Sequence, residues 1–167
     1  MKTSEKFNIL KKNLNSMGRV IIAFSGGVDS TFLLKSASIS GLKEVLAVTA
    51  VSASLPPEEL YFAKEITAEL NIPHLIISSD EMKDENYSNN PPDRCYYCKK
   101  ELFTKLKEIA SEEGISHILD GSNIDDMKDW RPGSRAANDL NVISPLSGAG
   151  LGKDEILLHD VIEAFKL

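Results

Sequence analysis

Cysteine is scarce: the 167 residues contain two, Cys95 and Cys98. Two thiols cannot staple a disulfide scaffold, and a lone Cys-x-x-Cys in a reducing compartment suits thiol or metal chemistry. Long apolar runs are lacking too; none approaches the roughly 20 residues that cross a bilayer. The first segment, Met1 to Leu14, is amphipathic and Lys-rich, without the continuous apolar stretch and small-residue cleavage site of a signal peptide. These absences predict a cytoplasmic chain with no membrane partner. Basic charge is in deficit, with 19 Lys and Arg against 25 Asp and Glu and a net charge of −6. Phosphate neutralisation demands a basic surface, so the balance argues against a nucleic-acid partner. There is no internal repeat and no low-complexity tract.

The composition that remains, 42% hydrophobic and 26% charged, is that of a soluble globule. The length suits one domain with an appended helix or two, able to bury about 70% of its unfolded surface. Apolar runs alternate with segments of helical period. The run Val20-Ile21-Ile22-Ala23-Phe24 has no polar alternation and reads as a strand covered on both faces. Further strands are expected at Val45–Val51, His74–Ser78, His117–Asp120 and, shorter, Val142–Ile143. Between them, Leu60, Ala63, Ile66 and Leu70 form one helical stripe, and Leu102, Phe103, Leu106, Ile109 and Ala110 another. Phe7, Leu10, Leu14 and Met17 predict a helix within residues 1–18, and Leu158, Val161, Ile162 and Phe165 one over 152–167. Gly41, Asn71 and Gly114 sit where helices should stop. This alternation implies right-handed βαβ crossovers, hence an α/β fold with a doubly wound parallel sheet of about five strands and helices on both faces. Two polar stretches break the rhythm, residues 79–94 and 122–134, and loops that long are usually functional.

The chemistry begins at Phe24-Ser25-Gly26-Gly27-Val28-Asp29-Ser30-Thr31, between a buried strand and a helix starting near Asp29. Ligands of parallel sheets bind at the carboxyl ends of strands, where helix N-termini present unpaired N–H groups. Gly26 and Gly27 allow a sharp turn and close approach to an anion, while Ser25, Ser30 and Thr31 add hydroxyls. A carboxylate beside bound phosphates makes sense chiefly with Mg²⁺ between them, which assigns Asp29 to the metal. A Walker A loop would need a Lys that is missing here, and the Gly-x-Gly-x-x-Gly dinucleotide fingerprint is absent. The segment instead resembles the PP-loop of the ATP pyrophosphatases. That resemblance implies ATP held by its β and γ phosphates, with a substrate oxygen attacking the α-phosphorus to give an adenylate.

Three further segments offer site residues. Thr49-Ala50-Val51, at the end of the second strand, resembles the superfamily's adenine-contacting edge, although strand ends occur in every α/β fold. After the fourth strand, Gly121-Ser122-Asn123 with Asp125 and Asp126 fits ribose or Mg²⁺ contacts, and Arg131 fits bidentate binding of phosphate or carboxylate. The same residues also suit a solvated acidic turn capped by Asp126. Arg94 lies beside Cys95 near a helix start, a setting that lowers a thiol's pKa. One Cys pair without paired His ligands is too little for zinc, since His74, His117 and His159 are isolated. A redox pair would sit in another βαβ context. Sulfur handling, cluster binding and plain burial stay open.

Taken with Asn90-Pro91-Pro92-Asp93-Arg94-Cys95-Tyr96-Tyr97-Cys98-Lys99, Arg131-Pro132-Gly133 and Ser144-Pro145-Leu146, these motifs resemble the LarE family of ATP-dependent sulfur transferases. The likeness covers nearly the whole chain in order. It implies a Rossmann-like domain that adenylates a pyridinium carboxylate, lets a sulfur nucleophile displace AMP, and releases a thiocarboxylate. ATP contacts are then expected from Ala23, Phe24, Ser25, Gly26, Gly27, Val28, Asp29, Ser30, Thr49, Ala50, Val51, Gly121, Ser122 and Asn123. Substrate contacts are expected from Arg94, Asp126 and Arg131, and catalytic roles from Asp29, Ser30, Cys95, Cys98 and Arg131. Some members sacrifice a cysteine's sulfur; others hold an iron–sulfur cluster on three cysteines, of which Cys95 and Cys98 would be two. Family members continue into a C-terminal portion with another cysteine and phosphate-binding arginines, whereas this sequence stops at Leu167. The expectation is one PP-loop domain over 1–167, either completed by a second copy or by a partner chain or belonging to a diverged enzyme; an amide-forming or tRNA-thiolating PP-loop relative and a non-catalytic nucleotide-binding subunit are the alternative readings.

Overall fold

The structure is a computed structural model that describes residues 1–53, 55–79, 94–128 and 132–157, with backbone alone at Arg94, Cys95, Pro132 and Gly133. The N-terminal helix α1 (Thr3–Met17) buries Phe7, Leu10 and Leu14 at helical spacing and ends at Gly18, whose φ of 74° suits glycine. Strand β1 (Arg19–Ala23) follows, then α2 (Val28–Ser38), β2 (Glu44–Val51), α3 (Pro57–Glu69), β3 (His74–Ser78), α4 (Arg94–Glu113) and β4 (His117–Leu119). The remaining described helices are short: α5 (Ile124–Lys128), α6 (Pro132–Asp139), α7 (Pro145–Gly148) and α8 (Lys153–Leu157). The stops at Gly41, Asn71 and Gly114 all take positive φ. The tail expected beyond Leu157 lies outside the described residues.

The four strands form one parallel sheet in the order β3-β2-β1-β4. Successive residues of β1 serve opposite faces: Val20 and Ile22 join one apolar cluster with α1, α2 and α3, while Ile21 joins another with α4 and α6. Helices therefore cover both faces, as the unbroken apolar runs require. Arg19 fastens the lower rim, its Nε donating to Glu44 Oε2 at 2.7 Å and its other nitrogens to the carbonyls of Glu113 and Gly114.

Among the described residues the sheet has four strands, one fewer than the roughly five expected. Around Val142-Ile143 the chain makes only an isolated parallel bridge, Ile143 to Leu119. The reason is local. Asn141 adopts the left-handed region (φ 56°) and Pro145 opens α7, so three residues remain between them. Ser144, the last of these, turns its hydroxyl onto Asp120 Oδ1 at 2.7 Å.

The chain winds outward from β1 to β3, then returns to β4 on the other side of β1. The order thus reverses between β1 and β4, and the crevice above their carboxyl ends is where a doubly wound sheet takes its ligand.

Candidate active site

A cavity of about 840 Å³ opens at that reversal, within the range of small-molecule sites. Its floor is the loop after β1. Gly26 makes the turn with φ 83°, and its missing side chain faces Ala63 of α3 rather than the cavity. Ser30, in the first turn of α2, folds back on the loop. Its Oγ lies 3.0 Å from Ser25 Oγ and 3.3 Å from the Gly27 carbonyl, and Ser25 Oγ accepts from the Gly27 N–H at 3.2 Å. The loop is thereby held in shape by its own hydroxyls before any anion arrives.

The loop after β4 closes on it from the other side. A Cβ at Gly121 would lie 2.9 Å from Ser30 N and 3.0 Å from Ser30 Cα, so only glycine permits this approach of backbone to backbone. Asp120, buried just before it, accepts from Ser122 N, Ser122 Oγ and Ser144 Oγ. Three neutral donors satisfy its carboxylate and tie the β4 loop to the start of α7.

Asn123 forms a reciprocal cap for α5. Its Oδ1 accepts from Asp125 N and Asp126 N, while Asp126 Oδ2 accepts from Asn123 N. That leaves the Asn123 amide free to reach Asp29 Oδ2 at 3.2 Å. Lys153, opening α8, donates from Nζ to Asp29 Oδ1 at 3.0 Å, and its backbone N–H to Asp125 Oδ2 at 2.8 Å. An ammonium and a carboxylate thus face the cavity at the mouth of the α2 dipole.

At the top of β2, Thr49 is buried and donates to the Phe24 carbonyl at 2.6 Å. Its Oγ1 also lies 2.6 Å from His74 Nε2, and His74 Nδ1 lies 3.1 Å from Thr67 Oγ1. Burial pushes the imidazole below its usual pKa, and the Lys64 ammonium pushes it the same way. The histidine opens β3 and is half-buried, a strand-end placement.

Of the residues expected to meet ATP, Ala23, Phe24, Ser25, Gly27, Val28, Asp29, Ser30, Thr49, Ala50, Gly121 and Ser122 line the cavity. Gly26, Val51 and Asn123 do not, though Asn123 touches Asp29. Thr31 is turned away as well, its Oγ1 buried without a partner among the described residues. Asp126 and Cys98 line the cavity, while the side chains of Arg94 and Cys95 and all of Arg131 lie outside the described residues. Lys153, Asp120 and Lys99 also line it and were not foreseen. The sequence offered only an apolar helical stripe to mark the segment of Lys153.

One carboxylate beside a phosphate loop matches the usual donor set for Mg²⁺, which keeps water and substrate oxygens for its other positions. Asp29 fits that role. Among the described residues no group of three His, Cys, Asp or Glu side chains is arranged for a metal. The two cysteines of the chain cannot by themselves supply three ligands to a cluster.

No family model matches the chain. It is 40% identical over 151 residues to an uncharacterized protein of Synechocystis sp., covering 90% of this chain and 56% of that protein. It is 36% identical over 144 residues to the pyridinium-3,5-bisthiocarboxylic acid mononucleotide synthase of Lactiplantibacillus plantarum, covering 86% and 52%. The NMN synthetase of Francisella tularensis superposes with a TM-score of 0.73 over 99% of this chain and 71% of that one; at 18% identity this shows the fold. The chain spans about half the length of the curated relatives it matches. Fold, loop and relatives together place the chain in the PP-loop ATP pyrophosphatase superfamily. Within it, the L. plantarum relative is a LarE protein, to which this chain is similar over 144 residues.

Proposed function

We propose that this domain binds ATP and Mg²⁺ in the crevice and cleaves the nucleotide between its α and β phosphates, adenylating a carboxylate for sulfur transfer. The observation that carries the reading is the close approach of Gly121, after β4, to the Asp29–Ser30 backbone that opens α2, beside the Lys153–Asp29 pair. Helix-terminal N–H groups and a lysine suit the departing pyrophosphate, whose charge grows as the bond to the α-phosphorus breaks. Mg²⁺ would be held by Asp29 and would neutralise phosphate charge.

The Thr49–Val51 edge supports a base subsite. The Ala47 N–H donates to the Pro73 carbonyl and the Val51 carbonyl accepts from the Ser79 N–H, so the odd residues of β2 bond towards β3. Even residues then face β1, as the bond from Phe24 N to Val48 O shows. Ala50 is the next even residue, level with the point where β1 has already turned away. Its N–H and C=O point into the crevice side by side, the complement of adenine N1 and N6.

The substrate carboxylate oxygen attacks the α-phosphorus, and pyrophosphate leaves. A sulfur nucleophile then attacks the acyl carbon, and AMP leaves with the bonding pair. Cys98 borders the same crevice, and the relative from L. plantarum is named for a bisthiocarboxylic acid product. Incubation with ATP, Mg²⁺ and a pyridinium carboxylate mononucleotide should release pyrophosphate, with AMP following in equal amount once a sulfur nucleophile is added, and Asp29→Ala should abolish both. Release of ADP and phosphate would overturn the reading.

A further inference from the structure

We propose that His74 is a positioning residue for the nucleotide base, acting through Thr49: it locks the threonine hydroxyl onto the Phe24 carbonyl and so keeps the Ala50 amide open to the ligand. The inference rests on the proposal that the crevice takes ATP.

Ordinary parallel pairing would continue past Phe24 N to Val48 O by joining the Ala50 N–H to the Phe24 carbonyl. That bond is not formed. The Phe24 carbonyl accepts from Thr49 Oγ1 instead, at 2.6 Å. Among the described residues nothing else pairs with the Ala50 N–H. The side chain has replaced the neighbouring amide, so the ladder ends one step early and leaves a donor facing the cavity.

Proton counting shows why the histidine is needed. A carbonyl only accepts, so the single Thr49 hydroxyl proton goes to Phe24 O. The 2.6 Å contact with His74 must then be an N–H donated from Nε2 to the threonine oxygen. Nδ1 of the neutral ring accepts from the Thr67 hydroxyl at 3.1 Å. If the ring is protonated, Nδ1–H donates to Thr67, which turns its own proton to the carbonyl of Ala63 or Lys64. In both states Nε2 stays a donor to Thr49. The chain from α3 through β3 to β2 therefore fixes the threonine rotamer, and the Phe24 ring packs edge-on to the imidazole at 5.9 Å.

The test compares ATP with inorganic tripolyphosphate, which uses the phosphate loop but has no base, by calorimetric titration in the presence of Mg²⁺. His74→Leu should weaken ATP by roughly five- to tenfold, the scale of one hydrogen bond, and leave tripolyphosphate unchanged. His74→Gln, which keeps a donor near the Nε2 position, should recover most of the loss. Thr49→Val should match His74→Leu, and the double variant should lose no more than Thr49→Val alone. Equal weakening of both ligands, additive losses, or unchanged ATP affinity in His74→Leu would each overturn the inference. Should His74→Leu fail to fold, Thr49→Ser against Thr49→Val carries the same comparison, with serine, which keeps the hydroxyl, expected to bind ATP roughly five- to tenfold more tightly than valine. A wild-type chain that fails to bind ATP would sink the parent proposal itself, a result distinct from every outcome in the variants.

Discussion

The ammonium of Lys153 stands 3.0 Å from Oδ1 of Asp29, a residue 124 positions earlier in the chain. The pair is only partly buried, with side-chain exposures of 45% and 23%. In that setting an ion pair contributes no more than about 1 kcal/mol to folding. Its significance lies in position: it joins the helix after the last strand to the phosphate loop after the first. An arriving triphosphate would share that lysine with Asp29.

Lys153→Met should therefore separate activity from stability. We expect pyrophosphate release to fall by about 10²- to 10³-fold, as when a single preorganised charge-stabilising donor is removed. The melting temperature should move by only a few degrees, given the weak pair. Paired rate and melting measurements check this, and a large loss of stability with little loss of rate would contradict the assignment.

Gly121→Ala should act through the opposite balance. Its Cβ would fall within 3.2 Å of three backbone atoms of Asp29 and Ser30, none of which can swing aside as a side-chain end could. Overpacking of this kind costs about 1–3 kcal/mol, and relief requires the two reversal loops to part. Gly27→Ala is the contrast, because its φ is −72° and the nearest atom, Ser25 Oγ, is 3.4 Å away. Urea titrations should show a clear midpoint shift for Gly121→Ala and a slight one for Gly27→Ala.

The difference between these glycines and Lys153 explains what could be read in advance. Gly26, Gly27, Asp29 and Ser30 form one turn, so their chemistry is written in consecutive letters. The helix stops at Gly41, Asn71 and Gly114 are equally local, since each needs only its own backbone angle. Lys153 is different: its role depends on where α8 docks, and α8 is fixed by contacts such as Lys153 N to Asp125 Oδ2 and Lys6 Nζ to Glu155. No spacing along the chain encodes them. The fifth strand failed for an intermediate reason. Val142 and Ile143 carry strand propensity, but Asn141 and Pro145 hem them in, and the tertiary bond from Ser144 to Asp120 decides the exit direction.

Asp120→Asn probes that bond. The buried carboxylate accepts three donors, and an amide would turn an NH₂ towards at least one of them. The NH₂ falls on the Ser122 hydroxyl, which can turn to accept, so the cost is that of exchanging charge-assisted bonds for neutral ones, about 1 kcal/mol or more. The effect should be local, loosening the junction of β4 with α7. Hydrogen exchange should quicken at Ser122 and around Pro145–Gly148 more than at β2 or β3; uniform acceleration would instead mean that the whole sheet had weakened.

Acid should weaken the fold in two separate steps. Burial, assisted by Lys64, holds the His74 imidazole below its ordinary value of 6.5, so the unfolded chain binds this proton first. Stability then rises with pH wherever the unfolded state is the more protonated. The neutral-His74 contribution is complete above 6.5 and drains away as pH falls below it, until the folded ring is protonated too. Glu155 answers lower down. Burial raises its pKa, but the Lys6 hydrogen bond at 2.7 Å, the Gly152 N–H and the Thr3 hydroxyl outweigh it and hold the carboxyl below its ordinary 4.5. Its contribution is present above 4.5 and is lost as pH falls through the folded value. Melting curves from pH 8 to pH 3.5 should show both declines in the wild-type chain. His74→Gln should flatten the upper one alone, and Glu155→Gln the lower one alone. A His74→Gln profile that still slopes between pH 7 and pH 5.5 as steeply as wild type would assign that decline to another group.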